Sequence, residues 1–207
     1  MELGAQERFW HGDFGDHYIE RNRDEKLLAS NVSLFATVLA KKRPIGSVLE
    51  IGANVGLNLT ALSRLFPSQR RVGIEINQAA HQLLEENPDV NEAVLGPIVG
   101  CELSETFDLV LSKGVLIHLD PDSLSRVYQA MADWSQKYVL IMEYYNPTPI
   151  TIPYRGHSEK LFKRDFAGEF LDQNKEFQLA DYGFSYHRDS NHPQDDITWF
   201  LLERSVD

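Results

Sequence analysis

An α/β fold, a parallel sheet with helices on both faces, is predicted from three observations. Strand-like apolar runs and helical stripes alternate about five times along residues 48–142, a pattern that builds parallel strands joined by right-handed crossovers. The first run, Val48-Leu49-Glu50-Ile51, passes without a spacer into a turn holding Gly52, Asn54 and Gly56, which reads as strand, tight turn, helix. A chain of 207 residues with 43% hydrophobic and 25% charged content fits one domain with a full core.

The elements follow in order. Residues 9–22 carry Phe9, Trp10, Phe14 and Tyr18 punctuated by glycines, and are too aromatic for a solvated tail. Asn22 with Glu25 has the spacing of a capping box, and Leu27, Leu28, Val32, Phe35, Val38 and Leu39 form a helical stripe ended by Pro44. Residues 1–45 are therefore expected to be a helical lid segment packed on a core of residues 46–207. After the first strand, residues 57–66 form a helix stopped by Pro67, and residues 71–76 a second strand ending in Glu75-Ile76. Asn77 caps a helix that reaches Asn87 and is closed by Pro88, and residues 90–95 are a weaker strand before Gly96-Pro97. Residues 107–111 are a strand running into Ser112-Lys113-Gly114. Asp120, followed by Pro121 at the first helical position, starts a helix through Leu124, Val127, Tyr128, Met131 and Trp134, and residues 138–142 are a continuous apolar strand. Pro147, Pro149 and Pro153 then mark residues 144–160 as a long irregular loop. Residues 164–172 form a short helix, and residues 177–186 and 197–203 are two closing strands.

Composition excludes several classes of function. A net charge of -11 and a pI near 5.1 repel polyphosphate backbones, so a small-molecule partner is expected rather than a nucleic acid. Cys101 is the single cysteine, which rules out a disulfide within the chain, and the histidines lack H-x-x-x-H spacing, so no metal is expected. No apolar run approaches the ~20 residues of a membrane span, and the polar residues 1–8 do not read as a signal peptide; the expected location is cytoplasmic.

The glycine turn selects a cofactor class. Laid from Gly52, the dinucleotide pattern G-x-G-x-x-G would need glycines at Asn54 and Leu57, and has neither. That argues against a nicotinamide-dependent oxidoreductase. Glu50-x-Gly52-x-Asn54-x-Gly56 instead resembles the E/D-x-G-x-G-x-G first motif of class I S-adenosylmethionine-dependent methyltransferases. Asn54 replaces the middle glycine, a mild departure because asparagine tolerates a left-handed backbone. The resemblance implies a seven-stranded Rossmann-like sheet, mostly parallel with an antiparallel C-terminal strand. It implies S-adenosyl-L-methionine as cofactor, with S-adenosyl-L-homocysteine as product. A non-catalytic S-adenosylmethionine-binding regulator shares all these features. Phe9-Trp10, Phe14-Gly15-Asp16, Ser112 to Leu119, Glu143-Tyr144-Tyr145-Asn146-Pro147 and Tyr154-Arg155-Gly156-His157 further resemble the methyltransferases associated with pseudaminic acid biosynthesis.

Candidate site residues follow from this frame. Glu50, Gly52, Asn54 and Gly56 form the cofactor turn. Glu75, at the end of the second strand, is placed to accept from both ribose hydroxyls, the alternative being a solvated strand-end acid. Ile76, Pro97 and Ile98 would flank the adenine, although no acid stands there for its amino group. Ser112 and Lys113 lie where the family holds the methionine end. Tyr18 and Arg21 are candidates for the cofactor's carboxylate if the N-terminal segment closes over the pocket; otherwise Arg21 is a surface arginine. His118, in an apolar setting, is a general base or a wall residue. His157 and Tyr145 are further catalytic candidates. Tyr144, Asn146, Tyr154, Arg155 and Lys160 of the proline-rich loop, with Tyr186 and His187 of a later cluster, are expected to bind the acceptor. The basic group Arg155, His157, Lys160, Lys163 and Arg164, in so acidic a chain, points to an anionic acceptor.

Overall fold

The computed structural model describes residues 4–19, 24–40, 42, 44–154 and 157–205, and the side chains of these except residues 17, 154 and 157–160. The chain opens with two short helices, α1 (Ala5–His11) and α2 (Asp13–Tyr18), followed by α3 (Glu25–Leu39). Strands and helices then alternate as β1 (Ser47–Ile51), α4 (Leu57–Leu65), β2 (Arg70–Glu75), α5 (Gln78–Glu85), β3 (Glu92–Leu95), β4 (Phe107–Lys113), α6 (Leu124–Trp134) and β5 (Ser135–Glu143). A hairpin of β6 (Ile150–Tyr154) and β7 (His157–Lys163) precedes α7 (Phe166–Gln173), β8 (Phe177–Ser185) and β9 (Ile197–Arg204).

Seven strands form one sheet in the order β3-β2-β1-β4-β5-β9-β8. All pair in parallel from β3 to β5, and β9 runs antiparallel to both of its neighbours. Because β1 and β4 are buried on both faces, their sequences are nearly continuous apolar runs rather than alternating ones. Leu49, Ile51, Val110 and Ile141 face a core completed by α6 and α7, with Val127, Met131, Phe166 and Phe170 among its members. On the other face Val48, Leu109, Leu111 and Leu140 meet Phe35 and Val38 of α3, Leu59 and Leu62 of α4 and Leu84 of α5.

One local expectation is corrected. The proline-rich stretch 144–160 is not irregular: residues 150–154 pair antiparallel with 157–163 as a separate two-stranded sheet. Ile150, Thr151 and Ile152 are β-branched, and Pro153 falls at the register shift between Ile152 and Tyr154, where a missing N–H costs no ladder bond. Leu161 anchors the hairpin in the α6–α7 core. The N-cap of α3 is Asp24, whose carboxylate accepts from the Lys26 amide at 2.8 Å, while the capping box proposed on Asn22 lies outside the described residues. Asn77 caps α5 as expected, accepting from the Ala80 amide at 2.8 Å. Among the described residues no helix is long and apolar enough to cross a membrane.

Candidate active site

The strand order reverses between β1 and β4, and their C-terminal ends open onto a cavity of about 980 Å³. That crevice is where open α/β sheets bind ligands. The turn after β1 forms one wall. Gly52 has φ +65°, and a Cβ there would lie 2.7 Å from Val115 Cγ2, so both the backbone conformation and the Val115 side chain require glycine. Among the described residues Asn54 is the one non-glycine with positive φ, at 49°, and its amide donates to Glu75 Oε2 at 2.8 Å. The other Glu75 oxygen accepts from the Asn77 amide at 2.8 Å. Burial raises the Glu75 pKa, and these amide bonds oppose the rise.

The cavity gathers many of the residues singled out by sequence. Tyr18, Gly52, Asn54, Glu75, Ile76, Pro97, Ile98, Lys113, His118, Tyr144 and His187 all line it. Others do not reach it. Glu50 is buried behind the turn, and Gly56 starts α4 against Leu84, Asn87 and Val90. Ser112 is fully buried and donates to Glu143 Oε1 at 2.8 Å. Tyr145 turns away to pack on Phe200, with ring centroids 5.7 Å apart, and Asn146 donates to the Thr148 carbonyl at 2.5 Å. Tyr186 is exposed beside His187 and does not line the cavity. Within β4, Ser112 and Lys113 diverge because strand side chains alternate in direction, which a motif reading does not resolve. Arg21 and Arg155, and the side chains of Tyr154, His157 and Lys160, lie outside what the structure describes. Of the basic group, Lys163 holds Nζ 5.0 Å from the ring centroid of Tyr144, and Arg164 donates to Glu169 Oε1 at 2.6 Å; neither lines the cavity.

Several residues that sequence reasoning passed over are central here. Asn58 donates to Glu50 Oε1 at 2.5 Å and accepts from Asn31 Nδ2 at 2.9 Å. Asn31 Oδ1 in turn accepts from Lys113 Nζ at 3.2 Å and from Gln194 Nε2 at 2.8 Å. This chain of polar groups joins β1, α4, α3, β4 and the β8–β9 connection beneath the cavity. Burial pushes the Glu50 carboxyl up to about 8 and the Lys113 ammonium below the usual lysine range; their mutual attraction opposes both shifts. Glu143, at the end of β5, accepts from the Val115 and Leu116 amides, each at 3.0 Å, and burial pushes it up to about 7. It thereby pins the 3-10 turn Leu116–His118 that carries His118. The signals were present. Asn31 interrupts the apolar stripe of α3, and Glu143 ends an apolar strand as Glu75 does.

The N-terminal helices form the cavity's cover. Gln6, Glu7, Trp10, Gly15 and Tyr18 line it, and the Trp10 ring packs on His118 with centroids 4.7 Å apart. Asn77 Nδ2 fastens the pair of helices, donating to the Trp10 carbonyl at 3.2 Å, the His11 carbonyl at 3.3 Å and Asp16 Oδ1 at 2.8 Å.

By sequence the chain matches no family profile and no curated protein. Its fold has close parallels. Magnesium protoporphyrin IX methyltransferase from Synechocystis PCC 6803, solved with bound S-adenosylmethionine, superposes with a TM-score of 0.69 at 15% identity, covering 99% of each chain. The 1,6-didemethyltoxoflavin-N1-methyltransferase of Burkholderia thailandensis, with bound 1,6-didemethyltoxoflavin and S-adenosylhomocysteine, gives 0.71 at 15% identity over 100% of this chain and 93% of that one. The glycopeptide N-methyltransferase MtfA with S-adenosylmethionine gives 0.63 at 14% identity over 85% and 93%. The fold is that of the Rossmann-like methyltransferases.

Proposed function

We propose that the protein binds S-adenosylmethionine and transfers its methyl group to an oxygen or nitrogen of a small polar acceptor, releasing S-adenosylhomocysteine. The observation that carries this reading is Glu75, held at the cavity wall by the Asn54 and Asn77 amides. Backbone amides on both carboxylate oxygens fix the plane of the group, and its remaining acceptor capacity suits the hydroxyls of a ribose. Ile76, Pro97 and Ile98 supply apolar walls for a purine, and Lys113 a cation for a carboxylate. The neighbours solved with S-adenosylmethionine or S-adenosylhomocysteine support the same cofactor.

When bound, this cofactor supplies an electrophilic methyl on a sulfonium. The chain's own contribution is alignment and exclusion of water, for which α1 and α2 wall the site and Glu143 holds the turn bearing His118. The resemblance to the pseudaminic acid-associated enzymes favours a sugar acid, and with it an anionic acceptor. Arg164, paired with Glu169, does not serve to bind it. Calorimetry with S-adenosylhomocysteine and with NAD tests the reading. Micromolar affinity for the former and none for the latter is expected; the reverse would sink it.

A further inference from the structure

The connection between β8 and β9 contributes to the cavity wall through His187, Pro193, Gln194 and Asp195. It is seated there by Gln194, 5% exposed, whose side chain donates to Asn31 Oδ1 at 2.8 Å. Within it, His187 is held at three points by Asp196. Its backbone amide donates to Asp196 Oδ1 at 3.0 Å, and its ring Nδ1 lies 2.8 Å from Oδ1 and 3.0 Å from Oδ2. An ionised carboxylate accepts and does not donate, so the ring proton sits on Nδ1 and the lone pair on Nε2. Nε2 has no hydrogen-bond partner among the described residues. His187 and Asp196 hold their partnership in the open, with side chains 52% and 48% exposed.

The charged and aromatic groups around the pair agree with this arrangement. The His187 bonds, ring first, hold Asp196 below the usual carboxylate range, with a smaller contribution from Lys163. The Tyr186 ring packs edge-on against the imidazole at 4.7 Å, and Asp195 is its acidic neighbour on the cavity wall. His118, the other histidine lining the cavity, is 5% exposed with its ring against Trp10, the setting of a wall residue. Glu143 has one oxygen occupied by backbone amides.

We propose that His187 and Asp196 are a general-base dyad that removes the proton from the acceptor's attacking atom during methyl transfer. The inference rests on the transferase reading above. It adds that the acceptor carries a proton on its nucleophilic oxygen or nitrogen, as a hydroxyl or an ammonium does. His187 Nε2 takes that proton, and the freed electron pair forms the bond to the methyl carbon. The sulfur–methyl bond breaks with its electrons staying on sulfur. The products are the methylated acceptor, neutral S-adenosylhomocysteine and an imidazolium facing the Asp196 carboxylate, which later loses its proton to water.

The test measures S-adenosylhomocysteine release from S-adenosylmethionine with hydroxy acids, nucleotide sugars, phenols and primary amines, and then follows the best acceptor across pH. For His187→Ala, kcat should fall about 100-fold or more, with partial recovery on adding imidazole. Asp196→Asn should lower kcat at least about tenfold with KM for the acceptor little changed, because the imidazolium formed during transfer loses its facing carboxylate. In both, affinity for S-adenosylhomocysteine by calorimetry should stay within about twofold of wild type, since neither change touches the Glu75 wall. Unchanged kcat in His187→Ala, or a loss confined to KM in Asp196→Asn, overturns the dyad and leaves the transferase reading standing. Failure of the wild type to bind S-adenosylhomocysteine, or to release it with any acceptor, overturns the transferase reading and the dyad with it.

Discussion

Gly52 and Glu75 show how single residues set the cofactor wall. At Gly52 an added side chain would meet Val115. Gly52→Ala should therefore lower stability as well as ligand affinity, by about 2 kcal/mol from the left-handed backbone and the 2.7 Å approach to Val115 Cγ2. Adding Val115→Ala should return part of that loss, leaving the backbone component. Denaturation curves of the two singles and the double decide it, and strict additivity would mean that Val115 is not the obstacle. Glu75→Ala should weaken S-adenosylhomocysteine binding by roughly 2 kcal/mol, about thirtyfold. Because the same carboxylate bonds the Asn54 and Asn77 amides, some of this loss arises from a looser turn. Unaltered calorimetric affinity would remove Glu75 from the site.

At the scale of elements, Asn77 separates two jobs between its two side-chain atoms. Oδ1 caps α5, and Nδ2 holds α1 and α2. Asn77→Asp keeps the capping oxygen but turns a second oxygen towards the Trp10 and His11 carbonyls and the Asp16 carboxylate, so it should release the cover without unfolding the core. Amide exchange in α1 and α2 should quicken about tenfold while global stability changes by less than about 0.5 kcal/mol. A drop in global stability as large as the local one would show that the cover and core unfold together. We also propose that α1 and α2 act as a lid, so S-adenosylhomocysteine should slow exchange there in the wild type; equal protection with and without it would make these helices ordinary fold.

Across the whole molecule, buried carboxyls make stability depend on pH. The Glu50 carboxyl rises from 4.5 to about 8 on folding, and Glu143 from 4.5 to about 7. Between those values the folded chain holds protons that the unfolded chain has lost. The stabilisation is therefore complete below about 4.5 and is lost as pH climbs through 7 and 8. Lys113, shifted down, acts in the opposite sense at the alkaline end, where the unfolded chain binds the extra proton. Unfolding free energy should thus fall from pH 5 to pH 8, and Glu50→Gln, which keeps an acceptor for Asn58, should flatten much of that fall. An identical pH dependence in the variant would mean that Glu50 is ionised in the folded protein.

The antiparallel C-terminal strand was implied by the resemblance to class I methyltransferases. The alternation of strands and helices, the parallel sheet, the glycine turn and the capping role of Asn77 were legible in the sequence itself. Each depends on periodicity or backbone preference within a few neighbouring residues. Tertiary structure decided what depends on contacts distant in the chain. Pro149 and Pro153 suggested a loop, but the β-branched residues beside them found a partner strand, and Leu161 found a core to anchor it. Tyr144 and Tyr145 look alike in sequence, yet one lines the cavity and the other packs on Phe200. Asn31 meets Lys113 and Gln194, and Glu143 meets the amides after β4, across gaps that no local pattern spans. The site's chemistry lies in those meetings, since a polar side chain acquires its charge state and direction from partners that only folding supplies.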